Sequence, residues 1–301
     1  MQKKRKDKYP PLFYIFVTCL SLIAVILGPM FFIWILALPF PPGLENAKSA
    51  YISAPQQIQT EASSYYYDHD LNDAQKKNYA KIENALRVMA DGVYLVEPLS
   101  VLETTRTYNA VLSDNPDIFW CAKSKVKYAE NPSGVFMLKF TYTCSPDEVA
   151  DKAVLYEESA KNTLSKITGE TDTDKAKDIA SYICDNTDYV KGDLDHSIDG
   201  VFGNRQATCG GYAKAMKYMC DIAGIPCIYV HGYIGADPFA THAWNEVHAD
   251  GTLYSVDATW KESSENEEDW FSADTSTFRK SRTPSFMEVV SYFEDFNQLS
   301  R

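Results

Sequence analysis

The segment covering residues 207–260 restricts the possible folds of this chain more than any other part. It opens with a cysteine followed by two glycines, and a helical pattern of apolar residues then covers residues 213–222 until Gly224 ends it. Backbone N–H groups in a first helical turn lack intrahelical partners, and the helix dipole is positive there, so this position favours a thiolate. Cys209 is therefore a candidate nucleophile, and its own N–H and the Gln206 amide are candidate oxyanion donors.

Two stretches with strand character follow, at residues 240–248 and 252–259, and the Asp-Gly dipeptide between them is typical of a two-residue hairpin turn. With that turn, His242 and Asp257 share one face of the hairpin as diagonal neighbours, roughly 7–8 Å apart at the backbone. A bulge would shift the register by one residue and separate them. The pattern predicts that His242 acts as base and acid and that Asp257 orients its imidazole.

The order of the cysteine, His-Ala-Trp and Asp-x-Thr-Trp resembles the transglutaminase-like superfamily, a papain-like thiol fold, and in particular its bacterial secreted or membrane-tethered members. The resemblance implies a catalytic triad of Cys209, His242 and Asp257 and acyl transfer through a thioester on the cysteine. The likeness continues upstream of the cysteine, at residues 113–120, 179–189 and 197–202.

One position departs from the resembled pattern. Many bacterial relatives carry an acidic residue directly after the cysteine and classical transglutaminases carry a tryptophan, whereas this chain has Gly210, which makes it a substrate-side candidate. Trp244 and Trp260 flank the predicted site and either line a channel that admits an amine while excluding water, or simply pack the sheet. The family includes cross-linking enzymes, peptidases, amidases and inactive members, so the resemblance does not choose the reaction.

The N-terminus indicates a membrane anchor. Residues 1–11 form a basic tail, and residues 12–40 contain no charged side chain, which is long enough to span a hydrocarbon core of about 30 Å. A cleaved signal peptide has an apolar region of only about 7–15 residues. By the positive-inside rule, the sequence predicts a single-pass cell-membrane protein with a cytoplasmic tail and an extracytoplasmic body.

The remaining pattern predicts an α+β fold: a papain-like or transglutaminase-like core with an N-terminal helical and hairpin region, preceded by one transmembrane helix. Ser145-Pro-Asp-Glu148 is a capping box that starts one helix. The apolar pattern of the hairpin favours Leu138 opposite Tyr128. Helices are predicted at residues 72–90, 98–112, 146–166 and 174–184, and the hairpin strands at 118–128 and 135–143. The divisions are a tail (1–11), an anchor (12–40), a linker (41–64), an N-terminal α+β region (65–146) and a transglutaminase-like domain (147–301).

Charge and composition narrow the partners. The formal net charge is −12, and the basic tail leaves the body still more acidic, which argues against nucleic acid. No histidine or cysteine spacing matches a zinc motif, and no cofactor or metal is implied. The sequence assigns no role to the basic residues near the C-terminus, which are Arg279, Lys280 and Arg282. The expected partners are the membrane and a protein or peptide substrate at the cell surface. The alternatives to acyl transfer are a cysteine peptidase or amidase, or an inactive binding module.

Overall fold

The computed structural model describes residues 64–121, 126–142, 144–190, 196–235, 240–261 and 263–284. Within these ranges, helices pack against two antiparallel sheets, and a short parallel pair of strands lies beside them. The predicted basic tail and signal anchor lie outside the described residues, as does the linker up to its last residue. No helix in the described part of the chain is both long enough and apolar enough to cross a membrane.

Several helices begin where the sequence offers a capping residue. Asn72, Ser100 and Ser145 each stand one position before a helix, and each forms a reciprocal capping box with a Gln or Glu three residues later. The capping box predicted at Ser145 is therefore confirmed. The helices are α1 (Tyr65–His69), α2 (Asp73–Arg87), α3 (Val101–Asp114), α4 (Pro146–Leu164), α5 (Asp172–Asp185), α6 (Cys209–Ala223) and α7 (Thr275–Phe278).

The N-terminal sheet has three strands, β1 (Gly92–Leu99), β2 (Lys127–Asn131) and β3 (Gly134–Lys139), in the order β1-β3-β2. Tyr128 pairs with Leu138, which is the register that the apolar pattern predicts. Two boundaries of the prediction are wrong. The chain before β2 forms a buried 3-10 turn over Phe119–Cys121 instead of a strand, because three successive apolar residues all turn inward. Pro98 lies in β1, a strand that the sequence pattern does not predict, and α3 begins only after the cap at Ser100.

The larger sheet carries the C-terminal half of the chain. Its five antiparallel strands follow the order β10-β6-β7-β8-β9, and α6 packs on β6 and β7. The side-chain amide of Asn245 donates to the backbone oxygen of Ala213 at 2.8 Å, so the first turns of α6 are fixed to β7. The strands are β6 (Cys227–Ile234), β7 (Thr241–Ala249), β8 (Thr252–Val256), β9 (Phe271–Ser272) and β10 (Arg282–Pro284), and the parallel pair is β4 (Asp188–Tyr189) and β5 (Gln206–Ala207).

The hairpin between β7 and β8 has the predicted turn and register. Asp250 and Gly251 both adopt positive φ, 49° and 76°, as a two-residue hairpin turn requires. Asn245 then pairs with Val256, without a bulge in the ladder. The predicted end of the second strand is wrong, because β8 stops at Val256. The N–H of Asp257 donates to the Trp270 backbone oxygen at 2.7 Å, next to the Val256–Phe271 pair of β8 and β9, and the chain turns directly after Asp257.

The two predicted globular regions share one hydrophobic core. Buried side chains from α2 and α3 belong to the same cluster as those of α6 and the larger sheet. Polar contacts cross the same boundary. The Tyr66 hydroxyl donates to the backbone oxygen of Tyr229 in β6 at 2.5 Å, and Asp114 accepts from the Tyr66 N–H and the Tyr79 hydroxyl. The N-terminal region therefore supports the sheet directly.

One buried carboxyl group stands out in the larger sheet. Glu246 in β7 is 0% exposed, and the Ser255 hydroxyl lies 2.9 Å from both of its carboxyl oxygens. Arg279 contributes a guanidinium nitrogen 3.8 Å away. Burial raises the pKa of Glu246, the nearby Arg279 and the hydrogen bonds act against it, and the result is about 7.

This raised pKa predicts a pH-dependent stability. Between about pH 4.5 and 7 the folded state holds a proton on Glu246 that the unfolded chain releases, so the free energy of unfolding falls as pH rises through this window. We expect Glu246→Gln to match the wild type at pH 4.5 and to exceed it at pH 8 by up to about 3 kcal/mol. Urea unfolding at both pH values measures this difference. An equal effect of the substitution at both values would contradict it.

Candidate active site

The thiol at the start of α6 is placed by the helix and the sheet together. Cys209 is the first residue of α6, and Thr208 precedes it as an extended N-cap whose side chain makes no capping hydrogen bond. The N–H groups of Gly211 and Tyr212 both donate to the Thr208 backbone oxygen, so those of Cys209 and Gly210 are the ones in this turn that can contact a ligand. Cys209 is partly buried against Ala213, Tyr229 and Ala243, which fixes the side chain while leaving the sulfur accessible.

The imidazole of His242 lies between the thiol and a carboxylate. His242 stands near the beginning of β7, opposite Gly232, and its Nε2 is 2.7 Å from Oδ2 of Asp257. Cys209 forms a second hydrogen bond to the ring, and since Nε2 faces the carboxylate, Nδ1 is the atom left for the sulfur. The structure thus brings together the three side chains that the sequence identifies as a triad.

Asp257 has more partners than the sequence suggests. The carboxylate is 1% exposed and accepts from His242, from the Thr259 hydroxyl at 2.5 Å and from Nε of Arg282 at 2.8 Å. The Arg282 guanidinium lies over the rings of Trp260 and Phe278, 4.2 and 3.8 Å from their centroids. Sequence reasoning assigned Arg282 no role. Nothing local in the sequence indicates one, because β10 brings this residue to the site only in the folded chain.

The protonation states of His242 and Asp257 depend on their burial and on their hydrogen-bond and charge partners. Burial lowers the pKa of His242, but the hydrogen bonds to Asp257 and Cys209 outweigh it and raise the value to about 9. Burial raises the pKa of Asp257, and the hydrogen bond and charge of His242, together with Arg282 and Thr259, lower it below the ordinary value. The arrangement favours an ionised carboxylate beside a protonated imidazole.

Trp244 stacks against the imidazole of His242. Its ring is 6.1 Å from that of His242 at an interplanar angle of 24°, and the residue is only 1% exposed. A Cβ at Gly232 would come within 2.7 Å of the indole, so this glycine makes room for Trp244 under the histidine. The indole is thus enclosed in the sheet beside His242, and a substrate-side role for Trp244 stays a prediction. The ring centroid of Trp260 also lies 6.1 Å from that of His242, and Trp260 is partly buried.

The other two substrate-side candidates lie beside the thiol. Gln206 is exposed in β5, three residues before Cys209. Gly210 is buried, and a Cβ there would come within 3.2 Å of Nδ1 of His196, so His196 occupies the space that a larger residue at position 210 would need. The same nitrogen lies 3.0 Å from the Thr208 hydroxyl. His196 is nevertheless exposed, and nothing in its own segment of the sequence predicts this contact.

The described part of the chain contains no cluster of three or more His, Cys, Asp or Glu side chains arranged to hold a metal ion. The site is therefore considered on its own side chains. They supply a thiol, a base that can also act as an acid, and a buried carboxylate that orients the base, which together suit nucleophilic attack on a carbonyl.

Comparison with known proteins places the site in a family. Residues 161–275 match a family model described as the transglutaminase-like superfamily, so this part of the chain is a transglutaminase-like domain. Human kyphoscoliosis peptidase is 27% identical over 123 residues, which are 34% of this chain and 19% of that protein. The chain thus spans about a fifth of the length of this curated relative.

Solved structures of related fold have low overall similarity. A protein described as a TGase is 15% identical, with a TM-score of 0.35 over 48% of this chain and 45% of that one. The periplasmic domain of TgpA from Pseudomonas aeruginosa is 19% identical, with a TM-score of 0.27 over 42% of this chain and 57% of that one.

The ring of His242 provides a direct test of the geometry. We expect its proton NMR titration to give a pKa near 9 in the wild type. In Asp257→Asn, the imidazole loses the carboxylate while burial still disfavours its charge, so the pKa should fall toward or below the ordinary 6.5. The control Asp274→Asn removes a carboxylate at the surface and should leave the titration of His242 unchanged. An unaltered pKa in Asp257→Asn would show that the carboxylate does not govern the ring.

Proposed function

We propose that the transglutaminase-like domain at residues 161–275 belongs to a membrane-anchored, extracytoplasmic thiol enzyme that acts on protein or peptide amides. The proposal is carried by one observation, the buried line from Cys209 through His242 to Asp257, in which each imidazole nitrogen has its own partner. In this assignment, an acyl group of the substrate is held as a thioester on Cys209 before it is passed to an acceptor.

The first half of the reaction follows from the hydrogen bonds. Transfer of the thiol proton to Nδ1 of His242 gives a thiolate beside the protonated imidazole, which is the charge state that the raised pKa of His242 favours, and the thiolate attacks the amide carbonyl. The N–H of Cys209 at the start of α6 and the amide of exposed Gln206 are the candidate donors to the developing oxyanion. His242 then returns the proton to the leaving amine, while Asp257 keeps the ring oriented and stabilises its positive charge.

The acceptor decides between two reactions. A primary amine that resolves the thioester gives a cross-linked or modified side chain, and water gives hydrolysis. Acyl transfer to an amine is our first assignment. Hydrolysis is the second, and it is supported by the 27% identity to a protein named as a peptidase.

Location at the membrane is part of the proposal. Residues 12–40 carry no charged side chain, and the basic tail before them favours a cytoplasmic N-terminus. The described domain is then held outside the membrane, where protein or peptide substrates at the cell surface can reach it.

The thiol chemistry is tested with iodoacetamide, followed by mass spectrometry of each cysteine peptide. We expect Cys209 to react faster than every other cysteine, and His242→Ala to abolish that advantage. Turnover should be lost in Cys209→Ala and should fall about 10²–10⁴-fold in His242→Ala, because proton transfer is then lost. Activity should also decline as pH rises through about 9, where His242 loses the proton that the leaving amine needs.

Incorporation of a fluorescent primary amine into casein, compared with release of new amino termini, separates acyl transfer from hydrolysis. Cys184→Ser serves as the control, because it removes a thiol from α5 outside the site. Labelling of Cys209 at the rate of an ordinary thiol, unaffected by His242→Ala, would leave only a binding module.

The anchor is tested on the full chain expressed with a C-terminal tag. We expect the protein to remain in the membrane pellet after alkaline carbonate extraction, and deletion of residues 1–40 to release it. Protease added to intact spheroplasts should cleave the tagged domain, because the positive-inside rule places it outside. Release of the full chain by carbonate, or protection of the domain from protease, would contradict the membrane part of the proposal while leaving the thiol chemistry intact.

A further inference from the structure

A basic wall, defined as Lys214, His231 and His196, lies beside the thiol. Lys214 is partly buried in α6, five residues after Cys209, and its Nζ lies 5.6 Å from the centroid of the Tyr229 ring. Tyr229 in turn packs in the small cluster that contacts Cys209. The Tyr229 ring therefore contacts the ammonium group and belongs to the cluster against which Cys209 packs.

The two histidines of the basic wall lie on β6 and beside the start of α6. His231 stands two residues after Tyr229 in β6, so both side chains point to the same face of the sheet. Burial lowers the pKa of His231, and the positive charges of His242, Lys214 and His196 lower it further, so these four groups lie within electrostatic range of one another. His196 lies on the other side of the helix start, against Thr208 and Gly210.

At neutral pH the members of the basic wall have different roles. Burial lowers the pKa of Lys214 to about 8, so at pH 7 most molecules still carry the ammonium charge. His231 is neutral there and offers a ring N–H donor. Within the described residues, Lys214 enters no ion pair, although the chain as a whole has a formal net charge of −12. A partly buried ammonium attracts an anion more strongly than a charge in open solvent does.

We propose that the basic wall binds a carboxylate of the substrate next to the amide that Cys209 attacks. This inference rests on the proposed function and narrows its substrate class to acidic acyl donors. Lys214 supplies the charge and a donor, and the histidines border the same region. The carboxylate comes either from an acidic side chain beside the attacked residue or from a free C-terminus of the peptide.

Two alkylating reagents of similar size test the electrostatic part without any turnover. Iodoacetate is an anion and iodoacetamide is neutral, and each forms an S–C bond to Cys209 with loss of iodide. The ratio of their rates at pH 7.0 cancels differences in the fraction of thiolate. We expect this ratio to fall about three- to tenfold in Lys214→Gln. It should be retained in Lys214→Arg, which keeps the charge, and fall less in His231→Gln, which removes only a neutral donor.

Lys161→Gln is the matched control, because it makes the same change of net charge on the exposed surface of α4. Its ratio should equal that of the wild type. Equal ratios in Lys214→Gln and in the control would overturn the basic wall as an anion site. That result would leave the proposed function standing if Cys209 still reacted faster than the other cysteines. Slow labelling of Cys209 by both reagents, with the ratio still dependent on Lys214, would instead count against the enzyme and support the anion site alone.

Protection of Cys209 from iodoacetamide by hexapeptides separates the two sources of the carboxylate. Four peptides combine an internal Asp or Asn beside a glutamine with a free or amidated C-terminus. If the side chain is bound, both Asp peptides should protect at concentrations at least threefold lower than their Asn counterparts, and Lys214→Gln should abolish this difference. If the C-terminus is bound, both peptides with a free C-terminus should protect at lower concentrations than their amidated counterparts, whether they contain Asp or Asn. Equal protection by all four peptides would contradict both.

Discussion

The buried carboxylate of Asp257 is the charge around which the site is built. Removing a carboxylate from water costs several kcal/mol unless hydrogen bonds and an opposite charge offset the loss. Here the offset comes from His242, Thr259 and Arg282. Arg282 is as deeply buried as the carboxylate, and its planar guanidinium lies over two aromatic rings. The cation thereby loses water without losing all its favourable contacts.

This dependence explains features of the fold that lie outside the family match. The match ends at residue 275, yet Arg282 belongs to β10, which pairs with β6 along the edge of the larger sheet. A transglutaminase-like domain cut at its matched boundary would leave Asp257 without its guanidinium partner. The short helix α7 contributes Phe278 to the same enclosure. The last described residues are therefore part of the site, although they resemble an unstructured tail in sequence.

Much of the site could be predicted from sequence because its determinants are local. The Asp250-Gly251 turn fixes the register of the hairpin, and an alternating pattern then places His242 and Asp257 on one face. Glycine after Cys209, with Gly224 at the other end, marks a helix that begins at the thiol. The contacts that the sequence does not reveal have a different physical origin. Arg282, His196 and Trp244 take their positions from tertiary packing, and no periodicity in their own segments records which neighbour they will meet. β1 was missed for a related reason, since its pairing with β3 depends on a strand about 40 residues away in sequence.

The family match and the N-terminal region contribute different contacts to the site. Residues within the family match supply the sulfur, the imidazole and the carboxylate. The N-terminal region contacts a residue beside the same site, because Tyr66 donates to the backbone of Tyr229, whose ring lies 5.6 Å from Nζ of Lys214. Tyr66 is itself held by Asp114 at the end of α3. A shift of α1 would thus move the ring beneath the ammonium group while leaving the hydrogen bond between His242 and Asp257 in place. On the proposed function, the residues of the family match carry the chemistry, and the N-terminal region reaches the basic wall through the same continuous core.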